Sequence, residues 1–134
     1  MKEGRTVTEA KRFGCYHCTA DTLMGEAVRR LVTEDISSLV VTDRDGYLVG
    51  VITRADVLRC YLGHDDWTEQ RVGDYMSQQV VTVSPDDQLR QVADLLLDKH
   101  IHRVIVVREE GGKQKPVAVV SDSDLVYHLM KEVE

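Results

Sequence analysis

Apolar residues follow two spacings along this chain. Met24, Ala27, Val28, Leu31 and Val32 stand at i, i+3, i+4, i+7 and i+8, one stripe of an amphipathic helix; Leu89, Val92, Ala93, Leu96 and Leu97 repeat it. Thr19 and Ser84 are the expected N-caps, with Pro85 as a first helical residue. A β-branched run follows each stripe, "SLVVT" (38–42) and "RVIVV" (103–107). After a turn, "DRDG" (43–46) or the longer "REEGGKQK" (108–115), comes a second apolar run, "LVGVI" (48–52) or "PVAVV" (116–120). These runs predict two hairpins. Closing helices are predicted over 54–62 and 122–133.

The chain is therefore written twice. From Val7 to Val72 the offset is 65, and it holds without a gap through "ISSLVV" (36–41) and "IHRVIV" (101–106). Beyond the second turn it is 68. Each copy reads strand–helix–strand–strand–helix. The expected organisation is a repeat over 7–62, a connector over 63–71, polar apart from Trp67, and a second repeat over 72–133. Neither copy alone has much core, so the two are expected to pack face to face.

Composition narrows the class. With 43% hydrophobic and 30% charged residues, 134 residues suit one soluble module. A net charge of −6 without a basic run argues against nucleic-acid binding. No apolar run has the length of a signal peptide or a membrane span, so no membrane partner is expected. Three cysteines, an odd number, argue against a disulfide scaffold and for a reducing cytoplasm.

"CYHC" (15–18) looks like a metal clamp or redox pair, but the repeat lays it over "VVTV" (80–83), a short strand. Residues three apart on a strand point to opposite faces, so Cys15 and Cys18 are expected to be small apolar residues with no metal between them. His17 overlies Thr82. His100 and His102 alternate across Ile101 and are expected on one strand face, His100 as an ordinary surface residue.

The chemistry-bearing motif is "GVITRADVL" (50–58) over "AVVSDSDLV" (118–126). In each, a strand ends in a hydroxyl residue and an aspartate follows three positions later: Thr53 and Asp56, Ser121 and Asp124. This is a capping-box pattern, which needs no ligand. It also suits a nucleotide. A helix N-terminus attracts phosphate, and a carboxylate can accept two hydrogen bonds from a ribose diol. No nucleophile–base pair or metal cluster that would make an enzyme is found.

On "DGYLVGVITRADVL" (45–58), "ISSLVVTD" (36–43) and "IHRVIVV" (101–107), the chain resembles a tandem pair of cystathionine-β-synthase (CBS) domains, over nearly its whole length. The resemblance implies an α/β fold of two βαββα repeats with pseudo-twofold symmetry. It implies a regulatory module that binds AMP, ADP, ATP or S-adenosylmethionine as a ligand, with no cofactor, and that forms a homodimer and reports to a protein partner. Carried over by position, one cleft would use Thr53 and Asp56, with Thr82 near the base and His102 and Arg103 at the phosphates. The other would use Ser121 and Asp124, faced by His17, Ser37 and Ser38, with Arg54 as its nearest cation. The alternative is a structural or interaction module with vestigial sites.

Overall fold

The computed structural model describes residues 5–10 and 14–133, of residues 9 and 10 the backbone only. Residues 11–13, within the opening of the first repeat, lie outside them. The elements are α1 (Val7–Ala10), β1 (His17–Thr19), α2 (Met24–Thr33), β2 (Ser38–Thr42), β3 (Leu48–Thr53), α3 (Arg54–Gly63), β4 (Thr82–Val83), α4 (Leu89–Asp98), β5 (Arg103–Glu110), β6 (Lys113–Ser121) and α5 (Asp122–Val133). Two halves of βαββα type result, each with a three-stranded sheet, β1-β2-β3 and β4-β5-β6. Among the described residues no helix is long and apolar enough to cross a membrane.

Strand pairing reproduces the two offsets. His17 lies beside Val40 in the parallel pair of one sheet and Thr82 beside Ile105 in the other, both shifted by 65. In the antiparallel pairs Ser38 faces Thr53 and Arg103 faces Ser121, shifts of 65 and 68. The register slips at the same place in both, between Val41 and Thr42 and between Val106 and Val107. The parallel pairs need a crossover, which α2 and α4 supply.

The chain divides into two compact units. One is Tyr16–Val80; the other joins the segment ending at Cys15 to the chain from Val81 onward. These units are not the sequence repeats, because each opening segment packs with the other repeat. Leu89 N–H donates to Arg5 O at 2.9 Å and Met24 N–H to Gln70 O at 2.7 Å. Val7 N–H donates to Asp87 O, and Val72 N–H to Thr22 O. All four contacts keep the 65-residue relation. Val7 is fully buried among Leu89, Val92 and Val104, and Val72 among Met24, Ala27 and Leu39. Burying one such valine is worth about 1.5–3 kcal/mol. The connector also joins the Tyr16–Val80 core: Trp67 packs on it and stands edge-on to Tyr61, their centroids 6.0 Å apart.

Several local expectations are corrected. Thr19 and Ser84 do not cap the helices. They open turns, with Thr22 N–H donating to Thr19 O and Ser84 N–H to Asp87 Oδ2, and the helices begin at Met24 and Leu89. Pro85 therefore precedes α4. The long turn over 108–115 is mostly strand, because β5 and β6 continue to Glu110 and Lys113 and close through Gly111 and Gly112. Both glycines have positive φ, which a two-residue hairpin turn favours. Neither His100 nor His102 is on a strand: His102 directly precedes β5, and His100 follows α4 with φ of 54°, with Ile101 N–H donating to Leu96 O. Asp35 does the same after α2 with φ of 49°, so both helices end in a left-handed cap. Val32 and Leu97, last in their stripes, are exposed; eight residues at 3.6 per turn carry a side chain about 80° from the first stripe position.

Candidate functional site

At the end of β3, Thr53 caps α3. Its side chain accepts from Asp56 N–H at 3.4 Å, while Asp56 Oδ2 accepts from Thr53 N–H at 2.8 Å and from Thr53 Oγ1 at 2.9 Å. Asp56 is buried, and its Oδ1 pairs with Arg59 one turn on. At the end of β6 the same box recurs. Asp124 Oδ2 accepts from Ser121 N–H at 2.8 Å and Ser121 Oγ at 3.1 Å, and Asp124 N–H donates to Ser121 Oγ at 3.2 Å. Both carboxylates thus do the capping that their spacing allows.

Around the first box, Ser38 is buried and lies opposite Thr53 in the sheet, and Ser37 is half-buried before β2. Arg54 is exposed and its guanidinium donates to Ile36 O at 3.5 Å. His17 is exposed at the start of β1, its carbonyl held by Arg30. Cys18 is in the core, and burial pushes its thiol up to about 11. Cys15 lies outside β1, half-buried, with its thiol also raised by burial. Among the described residues no group of three metal-binding side chains gathers.

The second box has different neighbours. Arg103 stands opposite Ser121, and its Nε is buried without a hydrogen-bond partner. His102 is exposed, with Nδ1 3.1 Å from Asp122 Oδ2, while Asp122 N–H donates to His102 O at 2.9 Å. The hydrogen bond from His102 holds the Asp122 carboxyl below its ordinary range; burial opposes this, and the Ser123 N–H and the charge of Arg103 assist. Thr82 accepts from Gln114 Nε2 at 3.3 Å.

By unit the expected residues divide into two sets: His17, Ser37, Ser38, Thr53, Arg54 and Asp56 belong to the Tyr16–Val80 unit, and Thr82, His102, Arg103, Ser121 and Asp124 to the other. Sequence reasoning missed Arg59 and Gln114. The i,i+3 spacing from Asp56 to Arg59 was an available signal; Gln114 lay inside the supposed turn.

The chain matches the CBS domain family over residues 12–63 and 72–131, and it belongs to that family. It is 26% identical over 116 residues to an uncharacterised protein of Methanocaldococcus jannaschii. It is 27% identical over 120 residues to the mitochondrial CBS domain-containing protein CBSX3 of Arabidopsis thaliana, and 30% over 107 residues to the transcriptional repressor CcpN of Bacillus subtilis. These matches cover 86%, 86% and 78% of this chain but only 27%, 56% and 50% of those relatives. Among solved structures, CBSX2 in complex with AMP is similar with a TM-score of 0.83 at 23% identity, covering 98% of this chain and all of that one. A CBS domain pair in complex with 5′-methylthioadenosine and S-adenosyl-L-methionine has a TM-score of 0.83 at 21% identity, covering 95% and 97%. At these identities the likeness shows the fold.

Proposed function

We propose that this chain is a regulatory module that binds an adenosine-containing ligand and catalyses no reaction on it. The observation that carries the reading is Arg103. A capping box is complete without a ligand, but a buried guanidinium nitrogen without a partner is costly, and an anion would relieve it. His102 beside it is a second donor for phosphate. The ribose falls to the carboxylates, Asp124 in the unit of Arg103 and Asp56 in the Tyr16–Val80 unit. Asp56 already accepts three hydrogen bonds of the roughly four a carboxylate can take, so a ribose hydroxyl would use its remaining lone pair or displace the exposed Arg59. Thr82, His17, Ser37, Ser38 and Arg54 complete the proposed contacts. The two solved neighbours hold AMP, or 5′-methylthioadenosine and S-adenosyl-L-methionine, which sets the ligand class to test.

One observation favours a second reading. Capping engages both carboxylates, as a structural module with vestigial sites would require. Thermal melts with adenosine, AMP, ADP, ATP, 5′-methylthioadenosine and S-adenosylmethionine separate the two. The binding module is stabilised by at least one of them, increasingly so as its concentration rises above Kd; a melting temperature unmoved by all six supports the vestigial one.

The homodimer of this proposal has a surface of matching character in each unit. Leu58, Tyr61 and Leu62 on α3 are exposed, and so are Val126, Leu129 and Met130, their equivalents on α5. Sedimentation of Leu62→Glu and Met130→Glu against wild type tests it: the variants should be monomeric where wild type is dimeric.

A further inference from the structure

At the equivalent places where the first repeat has Ser37 and Arg54, the second has His102 and Asp122. The ring proposed as a phosphate donor is therefore already paired. Asp122 Oδ2 lies 3.1 Å from His102 Nδ1, and Asp122 Oδ1 accepts from the N–H of Ser123 at 2.7 Å, in the first turn of α5. The carboxylate thus occupies both kinds of donor that a phosphate oxygen would use, a ring N–H and a helix amide. Arg103, next to His102, keeps a buried nitrogen free.

Building on the proposed adenosine ligand, we infer that Asp122 is the specificity-determining residue of this end of the site: an internal anion that any phosphate must displace from His102, so that affinity depends on the charge at the ligand's 5′ position. An uncharged 5′ group leaves the pair intact. A phosphate meets the carboxylate's like charge and binds His102 only after separating it from Asp122. The lowered pKa of Asp122, held down first by the hydrogen bond from His102, agrees, because it keeps the competing group ionised. The pair is exposed on both sides, so its exchange for a phosphate needs no unfolding.

The test is calorimetric titration of adenosine and AMP into wild type, Asp122→Asn, His102→Gln and the double variant, with thermal melts to confirm folding. Asp122→Asn should tighten AMP about tenfold, the factor that about 1.4 kcal/mol makes, and leave adenosine within about twofold. With His102 replaced, the gain from Asp122→Asn should shrink to less than about threefold, because the competition is for that ring. An equal gain in both backgrounds would make Asp122 a general like charge and overturn the inference. So would AMP binding that Asp122→Asn does not tighten, which leaves the adenosine reading standing. Absence of binding by either ligand to any of the four proteins would overturn that reading as well.

Discussion

Val7 and Val72 stand 65 positions apart and are both fully buried, each in the core of the repeat that it does not open. The relation is reciprocal down to the backbone, with Val7 N–H on Asp87 O and Val72 N–H on Thr22 O. Each half thus borrows a strap from the opening of the other repeat, and neither sequence repeat is a complete packing unit.

Truncating the first strap should loosen the second repeat. Val7→Ala removes two buried methyl groups and should cost about 2 kcal/mol. Hydrogen exchange should quicken over 81–133 more than over 16–63; the opposite distribution would contradict the exchange of straps.

Gly50 is held to its size by backbone. A Cβ there would come within 2.8 Å of both Met76 Sδ and Ser77 O, beside the Val51–Ser77 bridge. The methionine can turn aside, but the carbonyl is fixed by its hydrogen bond from Val51 N–H. Gly50→Ala should therefore destabilise by about 1–3 kcal/mol, read from urea unfolding.

The helix caps offer the reverse change. Asp35 and His100 carry the positive φ that glycine adopts without strain. Removing a left-handed cost of about 1–2 kcal/mol, less roughly 0.4–1 kcal/mol of added unfolded-chain entropy, His100→Gly should stabilise by about 0.5–1 kcal/mol. A lower melting temperature would count against the cap.

His128 on α5 links stability to pH. It is buried, Arg5 donates to its Nε2, and burial lowers its pKa, with the charges of Arg5 and Lys131 adding to the effect and that of Glu132 opposing it. Because the folded pKa is the lower one, the neutral ring's contribution is complete above the unfolded value near 6.5 and is lost as pH falls through the folded value. Denaturation midpoints should decline below about pH 6.5, and His128→Gln should remove that part of the decline. Equal slopes in both proteins would contradict the assignment.

What the sequence revealed depended on how local each signal was. Apolar runs separated by turns, and their repetition, sufficed to predict the two hairpins, β2 with β3 and β5 with β6, but the register that sets Ser38 opposite Thr53 and Arg103 opposite Ser121 is read only from the structure, because β2 is buried along its whole length and shows no alternation. The starts of α3 and α5 were legible from their hydroxyl residues, but the caps of α2 and α4 were not: Leu23 and Gln88 hold those positions without the usual short polar side chain, while Thr19 and Ser84 supplied a convincing false signal. His100 looked like a strand residue because nothing in its identity announces a left-handed backbone. The strap exchange was invisible, since Val7 and Val72 look alike in sequence and only tertiary packing decides which core takes which. At the candidate site the hydroxyl–carboxylate boxes were legible from spacing, but the engagement of His102 by Asp122 required the fold to bring α5 to β5.

The central claim, that the module binds an adenosine ligand through its carboxylates, is tested most directly by isothermal titration of AMP into wild type, Asp56→Ala and Asp124→Ala. Capping losses of about 0.5–2 kcal/mol leave both variants to be checked for folding by melts. Wild type should bind saturably. Asp56→Ala should weaken the site that Asp56 serves by about tenfold to hundredfold, the equivalent of a lost charged hydrogen bond of about 1.5–3 kcal/mol. Asp124→Ala should touch only a weaker site. Saturable wild-type binding that folded Asp56→Ala leaves unchanged and Asp124→Ala abolishes would contradict the assignment of that site, and no saturable heat with wild type would contradict AMP as its ligand.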